Sequence, residues 1–149
     1  MRIDRLDHLV LTVADVDATV AFYVRVLEME EVTFHDGRRA LRFGKTKINL
    51  HPAGREYEPK AARPTPGSAD LCLIAEMPLD LVVAELELKG VEIEEGPVAR
   101  TGAIGPIDSV YFRDPDGNLV EIGTYPSEDP DLRVCGTAAL AIERLRSAD

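Results

Sequence analysis

Four polar side chains stand where the pattern calls for apolar ones. His8 lies in Asp7-His8-Leu9-Val10-Leu11, and Asn49 in Ile48-Asn49-Leu50. Asp70 lies in Ala69-Asp70-Leu71-Cys72-Leu73, and Glu121 in Val120-Glu121-Ile122. A carboxylate inside an apolar strand is costly unless it is exposed, paired or bound to a metal. His51 follows Asn49 by two residues, so strand alternation puts both on one face. Arg42 alternates with Leu41 and Phe43 and can reach the same cavity. Arg100 lies in a stretch, 96–106, with three glycines and two prolines. That stretch reads as a loop, either plainly mobile or able to close its cation over an anionic substrate. Cys72 shares the Asp70 face and reads as a buried, inert thiol.

The elements that must position these groups repeat. Leu6 to Val13 reads as a strand. Asp15 or Asp17 can cap a helix running to about Leu27, with Ala18, Phe22 and Val26 on one face beside Tyr23 and Leu27. Strands follow at Glu31 to His35 and Arg39 to Phe43, around the hairpin signal Asp36-Gly37, and at Lys47 to His51. In the second half, Ala69 to Ala75 is a strand, and Pro78 opens a helix carrying Leu79, Val82, Val83 and Leu86. Gly90 stops that helix. Val91 to Val98, Ile107 to Phe112 and Asn118 to Thr124 read as strands, and Asp114-Pro115-Asp116-Gly117 turns between the last two.

Two β-α-β-β-β units imply a duplication, module one over 3–52 and module two over 68–125, with a proline-rich linker over 52–67. Residues 126–149 read as an extension, with a helix from Thr137 to Ser147 packing on the body or on a second subunit. Aligned by eye, the modules bring His8 over Asp70 and Asn49 over Glu121. The quartet can therefore converge if two sheets curl round one cavity, while Leu9, Leu11, Leu71 and Leu73 turn toward the helices.

Composition narrows the function classes. A chain of 149 residues is ordinary for one domain with a real core. Net charge of −10, from 27 acidic and 17 basic residues, argues against nucleic acid and anionic membranes as partners. No apolar run approaches the ~20 residues of a membrane-spanning helix. The charged start, Met1-Arg2-Ile3-Asp4-Arg5, lacks a signal-peptide core, and Cys72 and Cys135 read as free thiols. A cytoplasmic protein is the expectation. No dense Arg/Lys cluster points to a strongly anionic substrate.

Three stretches carry a resemblance: Asp7 to Val13, Phe22-Tyr23-Val24-Arg25-Val26-Leu27, and the turn from Arg113 to Glu121. On these the chain resembles the vicinal oxygen chelate superfamily of glyoxalase I, bleomycin-resistance proteins, fosfomycin-resistance enzymes and extradiol dioxygenases. Asn49-Leu50-His51, Glu58 to Ala61, Pro64 to Ser68 and Glu95 to Ala103 bring it nearest the subgroup of glyoxalase domain-containing protein 5 and bacterial lactoylglutathione-lyase-like virulence proteins. The resemblance implies an α+β fold, in which two tandem β-α-β-β-β modules form a curled mixed sheet, an open cup around a divalent metal, with helices outside. A homodimer is implied as well.

Carried over by position, the ligands fall on His8, Asn49, Asp70 and Glu121. Glyoxalase I usually has a carboxylate where this chain has Asn49, and extradiol dioxygenases and fosfomycin enzymes have histidine where it has Asp70. Asn49 therefore reads as a substrate-orienting amide, and His51 as its replacement at the metal or a rim residue. His8, Asp70 and Glu121 offer one nitrogen and two carboxylates, which suits Mg²⁺, Mn²⁺ or Fe²⁺ and leaves Zn²⁺ and Ni²⁺ open. Open positions would take two adjacent substrate oxygens, with Glu121 as base.

The expectation is thus a metal-dependent lyase, isomerase or dioxygenase. Its metal residues are His8, Asp70 and Glu121, and its substrate residues Asn49, His51, Arg100 and Arg42. The rival is a metal-free sequestering protein of the bleomycin-resistance type. With 5% aromatics and no Trp, the chain is poorly equipped to line such a groove. A structural dimer module is a third reading.

Overall fold

Asp15 sets the first turn. Its side chain accepts from the Ala18 amide at 3.0 Å, an N-cap that starts α1 (Val16–Leu27) directly after β1 (His8–Val13). The chain then forms β2 (Glu30–Phe34), β3 (Arg38–Phe43) and β4 (Thr46–Pro52). The second half gives β5 (Asp70–Ile74), α2 (Leu79–Leu88), β6 (Glu95–Thr101), β7 (Pro106–Arg113) and β8 (Leu119–Thr124). A computed structural model describes residues 1–126. The helix expected at Thr137 to Ser147, and Cys135, lie outside the described residues.

The fold is α+β, two tandem modules with one four-stranded mixed sheet each. The orders are β1-β4-β3-β2 and β5-β8-β7-β6. In both, the first and last strands of the module pair in parallel and the other pairs are antiparallel. The registers repeat as well. His8 faces Lys47 as Asp70 faces Leu119, and Asn49 faces Ala40 as Glu121 faces Tyr111. The duplication read from the sequence is therefore present in the hydrogen-bond ladders themselves.

The chain divides into two units. The first is Met1–Ala69 with the turn Asp114–Asn118, and the second is Asp70–Arg113 with the chain from Leu119 onward. In the first, Leu11, Val13, Leu41, Ile48 and Leu50 are buried with Val20, Tyr23 and Val26 of α1. Each such side chain contributes about 1.5–3 kcal/mol by leaving water. In the second, Val82 and Leu86 of α2 are buried, as are Val110, Phe112, Val120 and Ile122 of β7 and β8.

Three expectations need correction. The buried face of α1 is Thr19, Val20, Tyr23 and Val26, while Ala18 is exposed. Thr19 can stand on the buried face because its hydroxyl is satisfied within the helix, donating to the Asp15 carbonyl at 2.8 Å. The strand expected at Val91 to Val98 begins at Glu95 and runs on to Thr101, so most of the expected loop is β6. A bulge between Glu95 and Val98 absorbs Gly96-Pro97 without ending the strand. Cys72 is exposed, not buried.

The Asp114 turn belongs to the first unit and is held from within it. Tyr23 donates its hydroxyl to Asp114 Oδ2 at 3.0 Å, and Asn118 Nδ2 donates to the same oxygen at 2.8 Å. The amides of Asp116 and Asn118 donate to Oδ1. Asn118 Oδ1 accepts from the Ala69 amide, and the Asp116 carboxylate from the Ala14 amide.

Candidate functional site

Each sheet has one oily face, packed on its helix, and one polar face. Strand pairing decides which residues share the polar face, because register partners project to the same side. In the first unit these are His8, Val10 and Thr12 on β1, Lys47, Asn49 and His51 on β4, and Arg38, Ala40 and Arg42 on β3. In the second they are Asp70 and Cys72 on β5, Glu121 on β8, and Ser109, Tyr111 and Arg113 on β7.

His8 opens β1 and its Nδ1 lies 2.8 Å from Asp7 Oδ1. A carboxylate only accepts, so Nδ1 carries the hydrogen and Nε2 keeps its lone pair. The same hydrogen bond holds the Asp7 carboxyl below the usual range. Asn49 is half-buried, and its Oδ1 is buried with no hydrogen-bond partner. His51 is 9% exposed and meets the Tyr57 ring edge-on at 5.1 Å. Burial first, and the Arg38 charge second, push its pKa below the ordinary histidine value. Arg42 is tied to Glu30 at 2.6 Å, at the end of the face.

In the second unit one row crosses the sheet: Cys72, Glu121, Tyr111 and Glu95 are successive register partners. Tyr111 faces Glu121 across the ladder, and its hydroxyl accepts from Arg100 Nε at 3.0 Å. Arg100 in turn donates to Glu95 at 2.6 Å. Partial desolvation of the otherwise exposed Cys72 thiol, and then the Glu121 carboxylate, push it up to about 11, so it stays protonated at neutral pH. Burial raises the Tyr111 phenol, with Glu121 adding to the rise and the Arg100 hydrogen bond opposing it. Asp70 opens β5 on the Cys72 side, exposed and within the field of Arg113.

Glu121 therefore stands among Cys72, Tyr111 and, through Tyr111, Arg100. Arg100 sits on a strand and is engaged by Glu95, which differs from a cation on a free loop. Sequence reasoning overlooked Asp7, Arg38, Tyr57 and Tyr111. Alternation from Arg42 back through Ala40 would have put Arg38 on the polar face, and alternation within Ile107 to Phe112 would have offered Tyr111. Nothing local announces Tyr57, which reaches His51 from the linker. A cleft of about 610 Å³ in the first unit, lined in part by Asp15, Asp17, Arg39, Arg55 and Tyr57, contains none of the expected site residues.

The sequence profile of the Glyoxalase/Bleomycin resistance protein/Dioxygenase superfamily matches residues 5–122. The chain belongs to this superfamily. It is 59% identical over 125 residues to the virulence protein STM3117 of Salmonella typhimurium, covering 84% of this chain and 87% of that protein. The crystal structure of that protein superposes with a TM-score of 0.83, covering 85% of this chain and 100% of the other. The glyoxalase domain-containing protein RDO1 of Mycosarcoma maydis is 52% identical over 120 residues, 80% of this chain and 68% of its own length. The metallothiol transferase FosB of Shouchella clausii is 27% identical over 143 residues, 89% of this chain and 94% of its own.

Membership in the glyoxalase superfamily raises the question of a divalent metal, and the donor chemistry fits one. The Asp7 carboxylate fixes the His8 tautomer in the way that orients metal-binding histidines. The two glutamate and aspartate candidates, Asp70 and Glu121, lie on one face of one sheet. Among the described residues, no group of three or more His, Cys, Asp or Glu side chains is gathered round one point. The first unit offers His8 and Asn49, and the second offers Asp70 and Glu121.

Proposed function

We propose that this glyoxalase-superfamily chain is a divalent-metal-dependent enzyme of the lyase, isomerase or dioxygenase type. Its substrate is a small molecule with two adjacent oxygens. His8, Asp70 and Glu121 would hold the metal, whose identity among Mn, Ni, Zn, Fe and Mg is left to experiment. The metal would supply Lewis-acid stabilisation of a developing oxyanion. The observation that carries the reading is the Asp7–His8 pair, which fixes hydrogen on Nδ1 and makes Nε2 the nitrogen to face a metal, at the register position equivalent to Asp70. A relative named as a metallothiol transferase adds support.

Glu121 is the proton carrier in this reading. Tyr111, ordered by Arg100, stands beside it as its register partner on the polar face. Asn49 and His51 contact the substrate, while Arg42 and Arg100 border the two faces and reach an anion only by leaving Glu30 or Glu95. A homodimer in the cytoplasm is the proposed assembly. A screen of dicarbonyl, thiohemiacetal and catechol substrates with metal-loaded protein tests this. Glu121→Gln should lower kcat about 10²- to 10⁴-fold, the usual contribution of a positioned base. Undiminished turnover in that variant would remove Glu121 from the chemistry.

One observation favours the second reading, a metal-free small-molecule binding protein of the bleomycin-resistance type: no trio of donors is assembled among the described residues. That reading expects ligand retention with no turnover and no metal dependence.

A further inference from the structure

Three arginines are half-buried among the described residues, Arg38, Arg39 and Arg100. Arg39 is held by Asp17 and Glu31, and Arg100 by Glu95. Arg38 has no carboxylate within ion-pair distance among the described residues, in a chain of net charge −10. Its guanidinium lies 4.2 Å over the Tyr57 ring, beside His51, and its Nε is buried without an acceptor. The nearby Glu56 carboxylate does not answer it, because the Gly54 amide and Lys60 Nζ occupy that group at 2.8 and 3.0 Å.

A second unanswered group stands on the same face. Asn49 Oδ1 is buried and lacks a donor. Ala40 faces Asn49 across the ladder, so Arg38 is the diagonal neighbour of Asn49, about 7–8 Å away by strand geometry. Ala40, between them on the ladder, offers neither a side-chain partner. The duplication gives a control. By register, the second module has Ser109 where the first has Arg38, and Gly123 where it has His51. The fold thus forms without a guanidinium and imidazole at these positions, and their presence in the first module has another cause.

We propose that Arg38, Asn49 and His51, backed by Tyr57, form a subsite for the carboxylate end of a small 2-hydroxy acid. The guanidinium fork takes the planar carboxylate through Nε–H and a terminal N–H. The ligand hydroxyl donates to Asn49 Oδ1. The Arg38 charge suits a carboxylate, and Tyr57 and Phe34, the register partner of Arg38, flank it with ring surface, the Phe34 ring also carrying the Lys47 ammonium at 4.2 Å. The assignment deepens the substrate-binding role given above to this face, but it requires no metal.

The test uses the full-length, chelator-treated protein, so that failure of the metal reading does not decide it. Glycolate is titrated while backbone amide NMR shifts are followed, with glycolamide and methylphosphonate as comparisons. Saturable glycolate binding with Kd near ~1–10 mM is expected for so small a probe. Its shifts should centre on residues 38, 49, 51 and 57. Glycolamide should bind at least tenfold more weakly, Arg38→Met should weaken glycolate at least tenfold, and Arg38→Lys should fall between. If Arg38→Met does not fold, the lysine variant decides by the same criterion. The proposal is overturned if glycolate does not bind, if its shifts map elsewhere, if glycolamide or the variants bind it equally well, or if methylphosphonate binds more tightly than glycolate.

Discussion

Asp114 is the acceptor on which the best-marked turn of the sequence depends. It is 5% exposed and takes hydrogen bonds from the Tyr23 hydroxyl, the Asn118 amide group and two backbone amides. Tyr23, desolvated and facing this carboxylate, has its phenol pKa pushed far up, so it remains a donor at any ordinary pH. Asp114→Ala would strand several buried donors together, and a loss of about 3–5 kcal/mol in urea unfolding is expected. Tyr23→Phe removes a single donor and should cost about 1–3 kcal/mol. Equal effects would show that the hydroxyl alone, and not the shared acceptor, carries the turn.

His51 gives a pH signature. Its folded pKa lies below the ordinary value, with burial the main cause and Arg38 next. Below pH ~6.5 the unfolded chain therefore takes up a proton that the folded chain resists, and stability falls as the solution is acidified. His51→Gln should flatten the fall in melting temperature between about pH 7 and 5 relative to the parent protein. An unchanged slope would place the acid sensitivity elsewhere.

At the scale of elements, the turns and the repeat were legible because they are local. Asp36-Gly37 sits in the β2–β3 hairpin, and Gly90 follows α2 with φ of 69°. The duplication made equivalent strands legible, but not the sheet orders β1-β4-β3-β2 and β5-β8-β7-β6, which depend on pairing between distant strands. The buried stripe of α1 was misplaced because apolar spacing counts Ala18 and Phe22 but cannot see the inward Thr19. The run of β6 on to Thr101 was read as loop because Gly-Pro is a breaker in most contexts, while here a bulge houses it. Gly96 has φ of 111°, and a Cβ there would lie 2.5 Å from the Ser109 carbonyl oxygen. Gly96→Ala should cost about 1–3 kcal/mol from backbone strain, more with the collision, and should loosen Arg100 from Tyr111. Denaturant unfolding with the Tyr111 ring resonance as a second probe checks both effects. Wild-type stability would mean that the bulge is not rigid.

The site itself was only half legible. His8, Asn49, Asp70 and Glu121 announced themselves as polar residues in apolar strands. Tyr111 did not, because a tyrosine in a strand is ordinary, and its meaning comes from Glu121 facing it across β7 and β8. Arg38 was hidden next to Arg39, since two adjacent arginines look like one solvated pair until alternation separates their faces.

For the whole molecule, the acidic balance is partly spent internally, since Arg42 meets Glu30 and Arg113 meets Glu94. The two arginines hold equivalent register positions, Arg42 two residues past Ala40 and Arg113 two past Tyr111, another trace of the duplication. Membership in the glyoxalase superfamily accounts for the fold, while the proposed chemistry rests on particular residues. His8 and Asn49 belong to one unit and Asp70 and Glu121 to the other. The most direct test is metal analysis of native protein purified without chelator or metal affinity. Thermal stability is then measured after stripping and re-adding Mn²⁺, Ni²⁺, Zn²⁺, Fe²⁺ or Mg²⁺. The account predicts about one ion per chain and a melting temperature raised by mass action, both lost in His8→Ala and Glu121→Gln. Protein that carries no ion and gains no stability from any of them would contradict the metal-dependent reading and leave the ligand-binding one.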